Sequence, residues 1–305
     1  MTGTLRFGGY QPERSVHTQA VRALDEALST RPGGELRLEI IAQITQTGRP
    51  AADLLTMTES GELDLCYFAS SYLAGRIPAL GVLDLPFEGA GRAEVWRRLD
   101  GEAGRLIREA VAGNSGYEVL AFWDNGVRHI SNGVRAIRHP RDCAGLSIRT
   151  LDNAFHKAIF AALGFVPRFI DVKDLGAEVR NRTIDAQENP LTNLINFDIH
   201  KTHRFVSLTA QFFGIALVLA NRAALGTLDA ARRAALDQTV AHATQIQRAL
   251  AAAEDETCLR MLAAAGVDVV TAGQLDLEAF RASVADVVAA ETRQFDPALL
   301  AAWRG

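Results

Sequence analysis

Arg149 is the residue whose type and position best suit the binding of an organic acid. It closes the apolar segment Leu146-Ser147-Ile148, just before a helical segment begins. A guanidinium presents a rigid fork of N–H donors that fits a carboxylate in a bidentate manner. Ligands of open α/β sheets bind outside the carboxyl ends of the strands. Position alone leaves two interpretations open, a grip on a carboxylate and a surface salt bridge.

Asn189 and Arg128 occur in comparable positions along the chain. Asn189 ends another strand-like segment and precedes Pro190, which biases its backbone toward an extended conformation and blocks a helix. Its amide is therefore either a turn group or a group aimed into a cleft. Arg128 follows Asn125-Gly126, where the chain passes from one α/β unit to the next. It is either a hinge salt-bridge residue or a second cation for a ligand.

Large aromatic residues near the same strand ends are candidates for lining an apolar cleft. Aromatic side chains at sheet ends usually belong to the core. Ligand pockets, however, are mostly apolar with a few placed polar groups, so we expect some of these rings to contact a ligand. The candidates are Tyr10, Phe68, Trp123 and Phe212.

The sequence carries none of the common signatures of catalysis. It has no GxGxxG motif after a strand, no GxxxxGK[ST], no GxSxG and no HExxH. Two pairs of carboxylates, Asp124 with Asp152 and Asp185 with Glu188, could act as acid and base. Because no nucleophile or partner base accompanies them, we expect a protein that is not an enzyme.

The histidines and cysteines do not indicate a metal or a cofactor. His200 and His203 have an HxxH spacing that could share a helix face and a metal, but no third ligand is indicated. Cys66, Cys143 and Cys258 are scattered and odd in number. We expect three buried, inert thiols, with one disulfide left open as the alternative.

Composition bears on the partners and location of the protein. The 305 residues are 48% hydrophobic and 22% charged, with a net charge of −4. A nucleic-acid partner is not expected, because it would require a basic surface.

No apolar run approaches the roughly 18 residues of a membrane span, and 212–220 is interpreted as a buried strand. The start lacks the basic-then-apolar pattern of a leader, which predicts a cytoplasmic protein or one whose leader was removed. Nothing indicates oligomerisation, so we expect a monomer.

The order of strand-like and helical segments predicts an α/β fold with a largely parallel sheet. We expect the first helix to stop at 31–34, one amphipathic helix over 92–112 and two apolar strands within 205–220. Residues 228–265 form an alanine-rich stretch without proline, which predicts one long helix. A helix of that length usually braces two domains.

The domain organisation is predicted to be two lobes that exchange strands, because no linker separates two independent halves. Lobe I is predicted over 1–123 and 208–250, and lobe II over 124–207 and 251–305. We expect the ligand cleft to lie between the lobes.

Four motifs, in order, resemble those of substrate-binding proteins from tripartite ATP-independent periplasmic (TRAP) transporters. They are Ile77–Phe87, similar to P-x-L-x-V-x-D-L-P-F; Asn125–Asn132, similar to G-x-R-x-x-x-N; Gly145–Thr150, similar to G-L-K-I-R; and Ile184–Pro190, similar to x-D-G-Q-E-N-P. Ala186 stands where glycine is usual in the last motif. The likeness runs over nearly the whole chain, including the long helix.

The resemblance implies a two-lobed periplasmic-binding-protein-like fold with crossing strands and a long bracing helix. It implies that Arg149 pairs with the substrate carboxylate, that Asn189 supplies a polar contact and that Arg128 supplies a second cationic contact. It also implies a periplasmic protein that captures a small organic acid, closes on it and delivers it to membrane permease subunits without chemistry.

Two departures from the family pattern bear on the ligand. Gly8-Gly9-Tyr10-Gln11 replaces the more usual asparagine-containing loop, and 210–213 reads Ala-Gln-Phe-Phe where polar or tyrosine residues often occur. Both favour a less polar ligand, an aromatic or branched monocarboxylate. The alternatives are a C4-dicarboxylate or a sugar acid bound in the same way, or a cytoplasmic α/β enzyme that acts on an organic acid.

Overall fold

The computed structural model describes residues 3–30, 36–88 and 91–305, so the stop expected at 31–34 lies outside the described residues. Within them, short 3-10 turns connect the strands and α-helices. The strands are β1 Gly3–Gly8, β2 Leu36–Ile41, β3 Leu65–Ala69, β4 Tyr117–Asn132, β5 Ser147–Thr150, β6 Val166–Phe169, β7 Ala186–Pro190, β8 Phe205–Asn221 and β9 Asp268–Val270. The helices are α1 Val16–Ser29, α2 Asp53–Ser60, α3 Arg92–Asp100, α4 Glu102–Asn114, α5 Ala154–Ala162, α6 Val172–Arg180, α7 Leu191–Asn196, α8 Arg222–Leu225, α9 Ala230–Ala264, α10 Leu277–Thr292 and α11 Pro297–Arg304.

The chain divides into two compact units. Unit 1 comprises Met1–Ala69, Arg108–Asp124 and Ile215–Ala253, and unit 2 comprises Ser70–Ile107, Asn125–Gly214 and Glu254–Gly305. Because each unit is built from three segments, the chain passes from one to the other five times. Strands β4 and β8 and helix α9 each contribute residues to both units.

Residues 70–107 are the main difference between the units and the predicted lobes, since the sequence placed them in lobe I and they belong to unit 2. Aromatic packing within unit 2 accounts for this. The ring centroid of Phe87 lies 6.3 Å from that of Phe280, and the Trp96 ring packs edge-on against Phe213 at 5.4 Å. The other boundaries fall at 124/125, 214/215 and 253/254, against predicted positions of 123/124, 207/208 and 250/251.

Unit 1 is organised around parallel pairing at β1. Strand β1 pairs in parallel with β2 on one side and with β3 on the other, and β3 pairs antiparallel with the last part of β8. Helix α1 begins at the N-cap Ser15, whose side chain accepts a hydrogen bond from the Thr18 N–H at 3.1 Å. The apolar face predicted for this helix is buried, and it consists of Val16, Ala20, Val21, Leu24 and Leu28.

Unit 2 places β7 between β4 and β5. Strand β4 pairs antiparallel with β7, whereas β5 pairs in parallel with β7 and β6. Arg128 is in register with Pro190, and Arg149 is in register with Gln187. The sheet is therefore mixed rather than largely parallel, and the three polar residues singled out from the sequence lie on three adjacent strands.

Two other expectations about the elements are wrong. The segment 205–220 is one strand, β8, with an irregularity at Ala210, whose φ of 47° lies in the left-handed region. The helix predicted over 92–112 is two helices, α3 and α4, separated at Gly101. The backbones of the two helices approach closely at this turn. A Cβ atom added at Gly104 would lie 1.7 Å from the carbonyl oxygen of Leu99, so the turn requires glycine there.

The long helix predicted near the C-terminus is present as α9, with 35 residues. In unit 1 the Gln247 amide accepts from the Asp124 N–H at 2.8 Å and donates to the Asp124 carbonyl at 2.7 Å. In unit 2 Leu262 and Cys258 of the same helix belong to the apolar core. Cys258, like Cys66 and Cys143, is a free, buried thiol.

The tight turn between α3 and α4 can be tested by a matched pair of glycine substitutions in α4. We expect Gly104→Ala to lower the free energy of unfolding by about 1–3 kcal/mol or more, because its methyl group overlaps the Leu99 backbone. Gly113→Ala adds a methyl group with no described atom within 4 Å, and helix propensity should raise stability by up to about 1 kcal/mol. Urea denaturation followed by circular dichroism measures both. Equal effects of the two substitutions would contradict this account of the turn.

Candidate ligand-binding site

Arg149 lies in β5 with its side chain buried in unit 2, and the residue is only 1% exposed. Its Nε donates a hydrogen bond to the carbonyl oxygen of Ile170 at 2.8 Å. Its buried Nη2 has no hydrogen-bond partner among the described residues. A buried charged donor without a partner costs free energy, so such groups are rare outside functional sites. Nη2 is thus available to a carboxylate.

Tyr72 lies within reach of both arginine charges of this region. Burial raises the pKa of the Tyr72 hydroxyl, and the charges of Arg149 and Arg128 oppose that rise. A hydrogen bond between Tyr72 and Arg149 acts in the same direction as the charges. The Tyr72 hydroxyl therefore lies close enough to both guanidinium groups for their charges to affect its pKa.

The 3-10 turn that carries Tyr72 is held by a buried polar network within unit 2. The Ser71 hydroxyl donates to Oδ1 of Asp84 at 2.6 Å. The Asn153 side chain, which caps α5, donates to the Ser71 carbonyl at 2.9 Å. This network fixes the turn relative to the strand end at Arg149, four residues before the cap.

Arg128 in β4 is paired with Glu188 in β7. Nε of Arg128 donates to Oε2 at 2.6 Å, and Nη2 donates to Oε1 at 2.8 Å, which is a bidentate ion pair. Both side chains are buried. Nη2 of Arg128 also contacts Oδ1 of Asn189 at 3.3 Å. Unlike that of Arg149, the charge of Arg128 is already neutralised within the protein.

The amide of Asn189 is held in one orientation by its neighbours. Its Oδ1 accepts from Asn193 at 3.0 Å in addition to Arg128, and its Nδ2 donates to Oε1 of Gln187. Gln187 in turn donates to the Ser131 hydroxyl at 2.6 Å. The described contacts use one N–H of the Asn189 amide, which leaves a second N–H as a donor in a fixed position.

The two histidines of the HxxH sequence have separate environments. Nδ1 of His203 lies 3.0 Å from the Ser131 hydroxyl, and burial lowers the pKa of His203 to about 4. Nδ1 of His200 lies 2.9 Å from the Leu194 carbonyl oxygen. In the described ranges, no group of three or more His, Cys, Asp and Glu side chains is arranged to hold a metal ion.

Phe212 in β8 packs within unit 2 against other aromatic rings. It stacks on His156 with a centroid separation of 4.3 Å and meets Phe160 nearly edge-on at 6.0 Å. The Ala210 N–H nearby donates to Nδ1 of His129 at 3.1 Å, so the other ring nitrogen of the neutral imidazole carries the proton. Burial lowers the pKa of His129 to about 3, with a smaller effect from the charge of Arg92.

The other three aromatic candidates lie in unit 1. Tyr10 and Phe68 contact one another, with ring centroids 5.1 Å apart. Trp123 is fully buried, and its indole N–H donates to the Thr244 hydroxyl at 3.0 Å. Tyr67 lies beside both Tyr10 and Trp123. Contact of Tyr10, Phe68 or Trp123 with a ligand stays a prediction.

The carboxylates considered as acid/base pairs have structural partners. Asp185 accepts from the Ser147 N–H and hydroxyl at 2.8 and 2.7 Å. Asp152 is exposed and pairs with Lys157 at 3.0 Å. Asp124 is in unit 1, whereas Asp152 is in unit 2.

Two further candidate residues were not predicted from the sequence, and a third was interpreted differently. Tyr72 follows β3 by three residues, and the strand-end criterion used for Arg149 would have found it. Thr150 directly follows Arg149, and its buried hydroxyl has no hydrogen-bond partner among the described residues. Glu188 was considered only as an acid or base, because its pairing with Arg128 depends on strand register that the sequence does not show.

Comparison with known proteins assigns the chain to a family. Residues 7–294 match the family model DctP, described as bacterial extracellular solute-binding protein, family 7. The chain belongs to this family. It is 30% identical to the 2,3-diketo-L-gulonate-binding periplasmic protein of Escherichia coli K12 over 277 residues, which is 91% of this chain and 83% of that protein. Family members are periplasmic proteins that bind small organic acids and work with membrane permease components.

Solved structures of TRAP periplasmic solute-binding proteins have the same fold. One from Sulfitobacter sp. NAS-14.1, with bound β-D-galacturonate, matches with a TM-score of 0.92, 18% identity and 99% of each chain covered. One from Bordetella bronchispeptica, with density assigned as pantoate, matches with a TM-score of 0.91, 25% identity and coverage of 100% of this chain and 99% of that one. These matches confirm the predicted fold class. Among the described residues, no helix combines the length and the hydrophobicity needed to cross a membrane.

Because Arg128 is paired with a carboxylate and Arg149 is not, replacing them should affect the stability of the ligand-free protein to different extents. Arg128→Met leaves the Glu188 carboxylate buried without its partner, so we expect the free energy of unfolding to fall by about 3–5 kcal/mol. Arg149→Met removes a buried charge that has no carboxylate partner, together with hydrogen bonds to Ile170 and Tyr72, so the free energy of unfolding should change by no more than about 1 kcal/mol. Urea denaturation measures both values. A loss of several kcal/mol in Arg149→Met would show that the charge of Arg149 is already neutralised by a carboxylate of the protein.

The low pKa of His129 makes the folded protein sensitive to acid. In the unfolded chain the imidazole binds a proton near pH 6.5, whereas in the folded chain it does so only near pH 3. Its contribution to stability is therefore complete above about pH 6.5 and is lost as the pH falls toward 3. His129→Asn keeps an acceptor for the Ala210 N–H but does not titrate. Between pH 7 and 4.5 we expect the variant to lose about 2–3 kcal/mol less than the wild type in urea denaturation. An identical pH dependence would contradict this role of His129.

Proposed function

We propose that the chain is the periplasmic binding subunit of a TRAP transporter, that it binds an organic acid with one carboxylate through Arg149, and that it delivers the acid unchanged to a membrane permease. The observation that carries the proposal is the buried Nη2 of Arg149, which lacks a partner among the described residues. A carboxylate oxygen supplies that partner. Membership of the solute-binding family supports the transport role and the periplasmic location.

The number of available charges favours a monocarboxylate. Of the two arginines whose charges act on Tyr72, Arg128 is neutralised by Glu188 and Arg149 is not. A buried carboxylate is stable only when paired and hydrogen-bonded. A second carboxylate on the ligand would find no unpaired arginine in this group, so one carboxylate matches the charge of the site.

The remaining donors favour a ligand with hydroxyl or carbonyl oxygens beyond its carboxylate. The second N–H of Asn189 and the hydroxyl of Thr150 are suited to such oxygens. The relative that shares 30% identity is named for 2,3-diketo-L-gulonate, an acid with one carboxylate and several oxygens. We therefore infer a monocarboxylate of the sugar-acid type as the ligand.

A second candidate ligand is an aromatic or branched monocarboxylate. Phe212 in unit 2, which stacks on His156, offers apolar surface to such a ligand. The Bordetella structure, at 25% identity, carries density assigned as the branched acid pantoate. Both candidates share the single carboxylate, and they differ in the rest of the molecule.

Calorimetry with D-glucuronate and pantoate tests the assignment of Arg149. We expect Arg149→Ala to weaken binding of the acid by about 2–4 kcal/mol, which is roughly 30- to 1000-fold, since the carboxylate loses its charged partner. Arg149→Lys should recover only part of that loss, because an ammonium lacks the bidentate fork.

The matched control is Arg168→Ala, which removes an exposed arginine in register with Arg149 on β6. We expect it to leave the affinity unchanged. Equal affinity of Arg149→Ala and wild type would contradict the assignment of Arg149 as the carboxylate-binding residue. Recovery of a chemically altered acid after incubation would favour the enzyme alternative. Tighter binding of pantoate than of D-glucuronate would favour the branched candidate.

A further inference from the structure

Five buried polar side chains of unit 2 form one chain of hydrogen bonds, the amide relay. In order they are Arg128, Asn189, Gln187, Ser131 and His203, which lie on β4, on β7 and in the turn before β8. None of the five is more than 4% exposed. Because water is largely excluded from them, each N–H or O–H of the relay has to face an acceptor inside the protein.

The direction of the amide relay is set at Arg128, because a guanidinium can only donate. Oδ1 of Asn189 accepts from Arg128, so Nδ2 of Asn189 is left to donate to Oε1 of Gln187. Nε2 of Gln187 then donates to the Ser131 hydroxyl oxygen at 2.6 Å. The Ser131 proton is consequently directed at Nδ1 of His203, 3.0 Å away. The relay therefore requires a neutral His203 ring with its proton on Nε2.

The surroundings of His203 suit this role as the final acceptor. Burial lowers the pKa of the ring to about 4, against a smaller opposing effect of the Asp185 charge, so the imidazole is neutral near pH 7. Its Nε2 has no hydrogen-bond partner in the described part of the chain. No described hydrogen bond on that side of the ring selects a tautomer, so the Ser131 hydroxyl decides which nitrogen carries the proton.

We propose that His203 is a positioning residue for the ligand, because its Nδ1 ends the amide relay and so keeps the second N–H of Asn189 directed at a ligand oxygen. This inference rests on the proposed function, in which that N–H binds an oxygen beyond the carboxylate. Without an acceptor at His203, the Ser131 hydroxyl turns its proton toward Gln187, which has to reverse its amide to accept it. The reversed amide sets an N–H against Nδ2 of Asn189, so a hydrogen bond that orients Asn189 is lost.

Heteronuclear NMR of the ligand-free protein tests the relay without any ligand. We expect His203 to be the Nε2–H tautomer near pH 7. The side-chain N–H signals of Asn189 should shift in His203→Leu and much less in His203→Asn, because asparagine keeps an acceptor near the position of Nδ1 and leucine does not. An Nδ1–H tautomer, or Asn189 signals that are the same in His203→Leu and wild type, would overturn the inference.

Calorimetry with D-glucuronate and pantoate measures the consequence for binding. The net contribution of one hydrogen bond corresponds to about three- to tenfold in affinity, and we expect His203→Leu to weaken binding of the acid by that factor. His203→Asn should stay within about twofold of the wild type, since it retains the acceptor. Ser131→Ala interrupts the relay with a smaller change of volume and should weaken binding as His203→Leu does. It keeps the inference testable if the leucine variant does not fold.

A double-mutant cycle separates the orientation of Asn189 from a general loss of stability. Asn189→Ala removes the amide that the relay orients, so adding His203→Leu to it should change the affinity by less than about twofold. The matched control is His200→Leu, which alters a histidine three residues away whose ring contacts the Leu194 carbonyl outside the relay. We expect it to leave the affinity unchanged.

The outcomes separate the two proposals. Full affinity of His203→Leu and Ser131→Ala, or an equal loss with and without the Asn189 amide, would overturn the role of His203 and leave that of Arg149 intact. If Arg149→Ala retains full affinity, or the wild type binds neither acid, the proposed function fails instead, and the NMR measurements still decide the direction of the relay.

Discussion

The buried guanidinium of Arg149 is the constraint on which the account depends. Ile170 binds one of its nitrogens, and Nη2 is left without a partner among the described residues. Such an arrangement costs stability in the ligand-free protein, and it persists because β5 and its neighbours hold the strand end in place. The same cost becomes binding free energy when a carboxylate arrives, because the donor is already oriented and largely desolvated.

Several polar side chains around Arg149 are hydrogen-bonded within the protein, so Nη2 of Arg149 is the donor of this group that most needs a ligand oxygen. Arg128 and Glu188 neutralise one another, and the Asn189 amide is oriented by contacts on both of its polar atoms. The turn that carries Tyr72 is fixed by a network that includes Asp84. Because these groups need no reorganisation, an incoming acid meets the Nη2 donor of Arg149, which has no partner in the described part of the chain, and a few donors in fixed positions. Charge and shape are therefore set before binding.

Local patterns in the sequence predicted much of the fold. The spacing of apolar residues gave the buried face of α1, and the absence of proline indicated the long helix α9. The strand-end rule singled out Arg149 and Asn189, which lie on two adjacent strands of unit 2. Four motifs that resemble those of one family pointed to the function, which the comparison with known proteins then supported at the level of the family.

Features that depend on distant parts of the chain were not predictable in the same way. The break between α3 and α4 at Gly101 brings Gly104 close to the Leu99 backbone. The spacing of apolar residues along a helix does not reveal such a contact. The pairing of Arg128 with Glu188 joins residues 60 positions apart and depends on strand register. The single strand β8, where two strands were predicted, contains a residue with left-handed backbone, Ala210, which does not end the strand.

The most direct test of the central claim is a crystal structure of the protein bound to a sugar acid such as D-glucuronate. We expect a carboxylate oxygen of the ligand to lie about 2.7–2.9 Å from Nη2 of Arg149, with the Arg128–Glu188 pair intact. A ligand whose carboxylate makes no contact with Arg149, or which displaces Glu188 from Arg128, would contradict the account.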